Sequence, residues 1–145
     1  MKFRPPNRLF AQAYRRFLYR VASGMVLLLT TRGRKTGRLH TVGLQYELIA
    51  GDYWVGAADG VKADWYRNIL RNPQVEVQVG SQKFPAHARV ISDPEQLADF
   101  LQYRLQKHPL MLRLILRAGG LRGKLDRAGL VRYAEKLKAV VLSPD

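Results

Sequence analysis

Residues 27–47 read LLLTTRGRKTGRLHTVGLQYE, a basic loop between two apolar segments, and this stretch decides the predicted fold class. The first segment, from Met25 to Thr31, is mostly apolar and is therefore expected to form a buried strand. The second segment alternates, which is typical of a strand with one buried face. Its apolar residues, expected on one face, are Val42, Leu44, Tyr46 and Leu48, and its polar residues, expected on the other, are Thr41, Gln45 and Glu47.

Outward from this stretch, turn residues and helix caps divide the chain into further short elements. The predicted strands are 53–58, 75–79, 84–90 and 137–142, and the predicted helices are 63–71, 93–105 and 110–118. Asp93 is the expected N-cap of its helix, with Pro94 at the first helical position. Pro85 has no N–H to donate, so its strand is expected at a sheet edge or with a bulge.

This order of elements predicts an α+β fold around an antiparallel sheet, because every strand connection is a hairpin or a short helix. Such connections suit a small closed or split β-barrel with peripheral helices. A single domain is expected over residues 1–145, since no linker or repeat interrupts the chain. Within it, 1–23 is an N-terminal amphipathic helix, 24–92 the barrel core, and 93–145 the helices with the closing strand.

Charge is the strongest compositional signal, with 25 Lys and Arg against 11 Asp and Glu and a formal net charge of +14. This excess favours an anionic partner: nucleic acid, membrane phosphates or a polyanionic small molecule. A nucleic-acid-binding module is the less favoured interpretation, because the cations are spread along the chain without a recognised binding motif. The chain has no cysteine, which excludes disulfides and thiolate chemistry, and a cytoplasmic location is expected.

The N-terminal segment has apolar residues at helical spacing and arginines on the opposite side. One interpretation is a helix that packs on the domain and leaves its basic face in water. The other is a helix that lies on anionic lipid, which predicts peripheral membrane contact through residues 1–23.

The usual catalytic arrangements are missing from the sequence. His40, His87 and His108 are far apart and lack metal-ligand spacing, so no metal site is expected. No nucleophile elbow, Walker loop or dinucleotide-binding glycine motif is present either. The sequence therefore favours chemistry that a bound cofactor supplies.

The loop between the first two strands is the main candidate binding site. It carries four cations, Arg32, Arg34, Lys35 and Arg38, together with glycines and threonines. Glycines turn backbone N–H groups toward a ligand, and the cations supply charge-assisted hydrogen bonds to phosphate. The alternative is a solvated turn that is basic without binding anything.

A second candidate site follows the third strand, where small residues precede a helix that contains Trp65. Small side chains at Ala57, Ala58 and Gly60 allow a flat ring to approach the backbone closely. Trp65 and Tyr66 are expected to line a pocket or to pack in the core, with core packing favoured for at least one of them.

Three signatures in one order, TT-x-GRKTG, a small-residue strand end and WY-x-N-I-x-x-NP, extend from about Val26 to Val79. Together they resemble the deazaflavin-dependent nitroreductase family, whose members are related to the FMN-binding split β-barrels. The resemblance implies coenzyme F420 as cofactor and hydride transfer to a quinone, a nitroaromatic or an activated alkene. It also implies a homodimer. FMN is the alternative cofactor, and a barrel that binds flavin, deazaflavin or haem without turnover is the alternative function.

The resemblance also implies roles for individual residues. Arg34, Lys35, Thr36 and Gly37 would hold the phosphate region of the cofactor, and Arg38 and His40 would contact its tail. Ala57, Ala58 and Gly60 would border the ring, with Trp65 near it. His40 and Tyr133 are the candidates for a catalytic proton donor. The chain departs from the family pattern at Ala58-Asp59, where Ser-Lys is common.

Overall fold

The computed structural model describes residues 26–57 and 62–145. The predicted N-terminal helix, Ala58 and Gly60 lie outside the described residues. The chain divides into two compact units, one comprising the described part of Met1–Arg89 with Val140–Asp145, the other Val90–Ala139. The single domain expected over residues 1–145 stays a prediction.

The described strands form one seven-stranded sheet in the order β2-β1-β5-β6-β7-β4-β3. Their bounds are β1 Val26–Arg32, β2 Leu39–Gln45, β3 Glu47–Ile49, β4 Asp52–Ala57, β5 Gln74–Val79, β6 Gln82–Ile91 and β7 Lys138–Pro144. The pairs β1–β2, β1–β5, β5–β6 and β3–β4 are antiparallel. Strand β2 lies at one edge of the sheet and β4 lies beside β3, the strand at the other edge. Because β2 also contacts β4, the sheet curls toward closure.

Strand β1 is the centre of the region that carries the basic loop. It pairs with β2 along its whole length, from Val26 opposite Gln45 to Arg32 opposite Leu39, and with β5 on its other side. Leu27 and Leu29 are fully buried, and burial of each such side chain contributes about 1.5–3 kcal/mol. A strand paired on both sides and buried explains the continuous apolar run that the sequence shows.

The predicted second strand is broken in the structure, and its faces are exchanged beyond the break. β2 ends at Gln45 and β3 begins at Glu47, with Tyr46 between them. Glu47 is 3% exposed and Leu48 is 48% exposed, so the expected inward position of Leu48 is wrong. The period-two pattern holds only within an unbroken strand, and one residue between two strands shifts every later side chain to the other face.

The expectation that Pro85 marks an edge strand or a bulge is also wrong. Pro85 lies in β6, the central strand of the sheet, and the β5–β6 register is regular through the Glu76–Pro85 pair. The carbonyl oxygen of Pro85 accepts a hydrogen bond of 3.1 Å from the N–H of Asp145, just beyond the end of β7. The N–H and C=O of a residue in an antiparallel strand point toward the same neighbouring strand. The N–H that Pro85 lacks would therefore point toward the end of β7.

Four helices are described: α1 Asp64–Arg71, α2 Pro94–Lys107, α3 Pro109–Ala118 and α4 Arg127–Ala134. Asp93 caps α2 as predicted, since its side chain accepts a hydrogen bond of 3.2 Å from the N–H of Gln96. Helix α4 was not predicted, although Asp126 caps it by accepting from the N–H of Gly129 at 2.9 Å. None of the described helices is long and apolar enough to span a membrane.

Candidate functional site

The basic loop between β1 and β2 is a tight, internally bonded turn. The N–H of Gly33 donates to the carbonyl of Arg38 at 2.7 Å, and the N–H of Gly37 donates back to the carbonyl of Gly33 at 2.9 Å. Gly37 has a φ of 72°, a conformation that side chains other than glycine rarely adopt. The two glycines therefore set the shape of the turn.

The start of the loop packs on His40, which is buried in β2 directly across from Thr31. A Cβ at Gly33 would lie 3.0 Å from the imidazole Nε2 of His40 and 3.1 Å from the carbonyl oxygen of Arg38. That close packing is the reason for glycine here. The imidazole lies under the turn, and its role toward the cofactor stays a prediction.

Asn68 connects the loop to α1 and to the end of β1. This side chain is 1% exposed. Its Oδ1 accepts from Nη1 of Arg34 at 2.9 Å and from the backbone N–H of Arg34 at 3.3 Å, while its Nδ2 donates to Oγ1 of Thr31 at 3.1 Å. One buried amide thus joins the two sequence signatures, TT-x-GRKTG and WY-x-N.

Asp64, one helical turn before Asn68, binds the second terminal nitrogen of the Arg34 guanidinium. Nη2 of Arg34 lies 3.3 Å from Oδ1 of Asp64 in a part-buried ion pair. Partial burial by itself raises the pKa of Asp64, while the hydrogen bond and the positive charge of Arg34 are among the effects that lower it, and the resulting pKa lies below its ordinary value of 3.8. Arg34 therefore docks the loop on α1 and retains further N–H donors for a ligand.

The lowered pKa predicts how this docking depends on pH. The stabilisation from the Asp64 carboxylate is fully present above its unfolded pKa and is lost as the pH falls through its lower folded pKa. We expect the stability difference between the parent chain and Asp64→Asn to be constant from pH 7 to about pH 5 and to shrink below about pH 4. Urea unfolding at a series of pH values measures it. A difference that grows on acidification would contradict the assigned ion pair.

The outer part of the loop presents its remaining cations to solvent. Lys35, Thr36 and Arg38 are exposed, and within the described residues no hydrogen bond or ion pair engages the charged ends of Lys35 and Arg38. The guanidinium of Arg32 instead donates to the carbonyl of Gly37 at 2.8 Å and braces the turn. The four cations are therefore divided into two that hold the loop and two that are available to an anion.

The second candidate site is only partly described. Ala57 ends β4 and is buried, while its neighbours Ala58 and Gly60 lie outside the described residues. Trp65 is half-buried and meets Tyr66 edge-on, with ring centroids 6.1 Å apart. Tyr66 is the one that packs in the core, which leaves Trp65 as the candidate for the pocket wall.

Tyr133, the other candidate proton donor, lies on α4 in the second unit. Its hydroxyl packs against Gly119, where an added Cβ would collide with it. This contact explains the glycine that follows α3. As a proton donor Tyr133 stays a prediction.

Asn68 and Asp64 were missed as site residues by reasoning from the sequence, although a signal was present. They are four residues apart on a helix, and such residues share one face. Both also fall inside the segment DWYRN that carries one of the three signatures. No group of three or more His, Asp or Glu that could hold a metal occurs in the described part of the chain.

Comparison with solved structures confirms the fold class predicted from the sequence. An F420H2-dependent reductase, FDR-A, superposes with a TM-score of 0.58 at 22% identity over 83% of this chain and 95% of its own. The haem storage protein HutZ of Vibrio cholerae superposes with a TM-score of 0.57 at 16% identity over 95% of this chain and 89% of its own. At such identities the likeness shows the fold alone, an α+β split β-barrel of the FMN-binding type.

Sequence comparison is more specific. An F420H2-dependent quinone reductase of Mycobacterium tuberculosis is 35% identical over 74 residues, which are 48% of this chain and 50% of the relative. The chain thus spans about half the length of the curated relatives it matches. The model of the F420H2-dependent quinone reductase family matches residues 7–111. This match covers most of the chain and includes both the basic loop and helix α1. This protein therefore belongs to the F420H2-dependent quinone reductase family.

Proposed function

We propose that this protein transfers hydride from F420H2 to a quinone and that its basic loop holds the anionic tail of the cofactor. The observation that carries the proposal is the division of the loop cations. Arg32 and Arg34 hold the turn on β1 and α1, while Lys35 and Arg38 project outward without a competing partner in the described residues. A rigid turn with free cations is preorganised for an anion, so little ordering cost is incurred on binding.

The residues present fit a phosphate-bearing tail. The ammonium of Lys35 and the guanidinium of Arg38 offer charge-assisted hydrogen bonds, and the exposed hydroxyl of Thr36 adds a donor. Arg34 keeps unused N–H groups at the inner end of the same turn. The predicted contacts of Gly37 and His40 with the tail belong to the same proposal.

When bound, F420H2 supplies the hydride, and the protein supplies binding, orientation and exclusion of water. We assign the ring side to the end of β4, where Ala57 has a side chain too small to block a flat ring. The predicted contacts of Ala58 and Gly60 with the ring belong to the same proposal, and the half-buried Trp65 forms a wall. Alignment of donor and acceptor in such a pocket is the main source of the rate that the protein itself contributes.

We also propose that the protein is a homodimer and that it is located in the cytoplasm. Among the acceptors, we expect quinones to be preferred over nitroaromatics and activated alkenes. This preference follows from the family to which the chain belongs.

The acceptor preference is tested by anaerobic oxidation of F420H2, followed by the absorbance of the oxidised cofactor. We expect turnover with a 1,4-naphthoquinone to exceed that with a nitroimidazole or an unsaturated ketone by at least about tenfold in kcat/KM, a difference of about 1.4 kcal/mol. Equal rates with all three would remove the quinone preference. F420 binding without turnover would favour the binding barrel, and FMN or haem binding instead of F420 would refute the cofactor assignment.

A further inference from the structure

Helix α3, Pro109–Ala118, has an apolar face on the side that points away from its core. Leu112 and Leu116 are its buried residues. At about 100° per residue, the positions opposite these two are 110, 114 and 118. They are occupied by Leu110, which is 74% exposed, Leu114, which is 65% exposed, and Ala118.

This pattern differs from that of an ordinary surface helix. A helix on a water-soluble unit normally places polar side chains opposite its buried stripe. Here the exposed Ile115 extends the apolar surface around one flank. We call Leu110, Leu114 and Ile115 the outer face of α3. Single exposed leucines are common, but large aliphatic side chains on adjacent turns of one helix indicate an interaction surface.

The charged side chains of α3 itself are all positive. Arg113 and Arg117 are exposed and border the outer face on the flank opposite Ile115. From Phe100 to Leu125 the sequence has six Lys and Arg and no Asp or Glu. The helix therefore combines exposed aliphatic side chains with arginines on one flank, which complements a layer that is apolar inside and anionic at its surface.

We infer that α3 is a membrane-docking helix that lies flat on an anionic lipid surface, with Leu110 and Leu114 inserted between the acyl chains. Ten residues of helix extend about 15 Å, half of the roughly 30 Å hydrocarbon core, so the helix rests in the interface. Arg113 has a stem long enough to reach lipid phosphates from the helix flank. Arg117 donates from Nη1 to the carbonyl of Leu121 at 3.1 Å and keeps further N–H donors for a phosphate. This inference rests on α3 and is independent of the proposed reductase activity.

The same observations disfavour two other occupants. In a symmetric contact between two copies through this face, Arg113 and Arg117 of both copies would come together, and α3 itself carries no acidic residue to offset them. Nucleic acid would satisfy the arginines but not the leucines, because single strands are bound by stacking on aromatic side chains. Lipid accommodates both classes of side chain.

The first test places a reporter on the helix. The chain has no cysteine, so Leu114→Cys and Leu70→Cys each give a single site for a bimane label. Leu70 lies on α1 and is 59% exposed, which makes it a matched control. With vesicles of phosphatidylcholine and phosphatidylglycerol, we expect a blue shift at position 114 and none at position 70. No shift at position 114 would overturn the inference.

The second test measures vesicle sedimentation of variants of the whole 145-residue chain. We expect Leu110→Gln with Leu114→Gln to weaken binding to the same vesicles at least tenfold, while Leu70→Gln binds like the parent chain. Arg113→Gln with Arg117→Gln is expected to lose binding to anionic vesicles to a similar extent. Unchanged sedimentation of the leucine variant would assign lipid binding to another part of the chain. If that variant instead converts a dimer to a monomer, a second copy is the occupant; either result refutes the docking helix.

Discussion

Replacing Lys35 and Arg38 together by alanine is expected to weaken the binding of oxidised F420 by about 30- to 150-fold. Charge-assisted hydrogen bonds contribute about 1.5–3 kcal/mol each, and we take a combined loss of about 2–3 kcal/mol because both side chains are exposed. Neither charged end has a partner in the described residues, so the free energy of unfolding is expected to change little. Titration of F420 fluorescence measures the Kd.

The matched control is Lys83→Ala with Arg89→Ala, which removes two exposed cations from β6. Both double variants lower the net charge equally, so a nonspecific effect of the +14 charge would weaken binding in both. The proposed site requires that only the loop variant bind weakly. If the control loses as much affinity as the loop variant, the tail is attracted by the whole surface and the loop has no special role.

Asn68→Ala is expected to lower stability and cofactor affinity at the same time. The substitution removes the acceptor for Arg34 and leaves the buried hydroxyl of Thr31 without its donor. Loss of hydrogen bonds to buried groups costs about 2–4 kcal/mol here. For a chain of this size that is a fall in Tm on the order of 5–15 °C. Affinity falls because the loop is no longer held on α1 and must be ordered by the ligand.

Asn72→Ala is the control for this variant, because Asn72 follows the same helix and its side chain accepts an exposed hydrogen bond of 3.2 Å from the N–H of Gln74. We expect it to change Tm by a few degrees at most and F420 affinity not at all. A separate measurement at 10 °C, where both variants are folded, isolates the effect on affinity. Parent-like F420 binding by Asn68→Ala at that temperature would show that the amide stabilises the fold without positioning the loop.

The amino-acid pattern alone predicts much of the fold. The apolar run of β1, the Asp93 cap with Pro94 behind it, and the stop of α1 before Asn72-Pro73 follow from local preferences, and the structure confirms each. These features depend on residues a few positions apart, whose preferences are strong enough to act without distant contacts. The basic loop is predicted for the same reason, since glycines and strand ends are visible in the sequence.

Tertiary pairing decided what local pattern could not. The break at Tyr46 exchanged the faces of Glu47 and Leu48, and nothing in the alternation between them indicates it. Proline is tolerated at position 85 of the central strand because the N–H that it lacks would face the end of β7. That tolerance depends on a strand more than fifty residues later in the chain, which period and propensity do not report.

The candidate site divides in the same way. The amino-acid sequence by itself determined that a cluster of cations lies on a glycine turn between strands, and its signatures placed the chain in a family that the comparison confirmed. Only the tertiary structure separated Arg34, held by Asp64 and Asn68, from Lys35 and Arg38, which face solvent. All of these cations look equivalent in sequence. Their roles differ because a buried amide 34 residues later captures one of them and leaves its neighbours free for an anion.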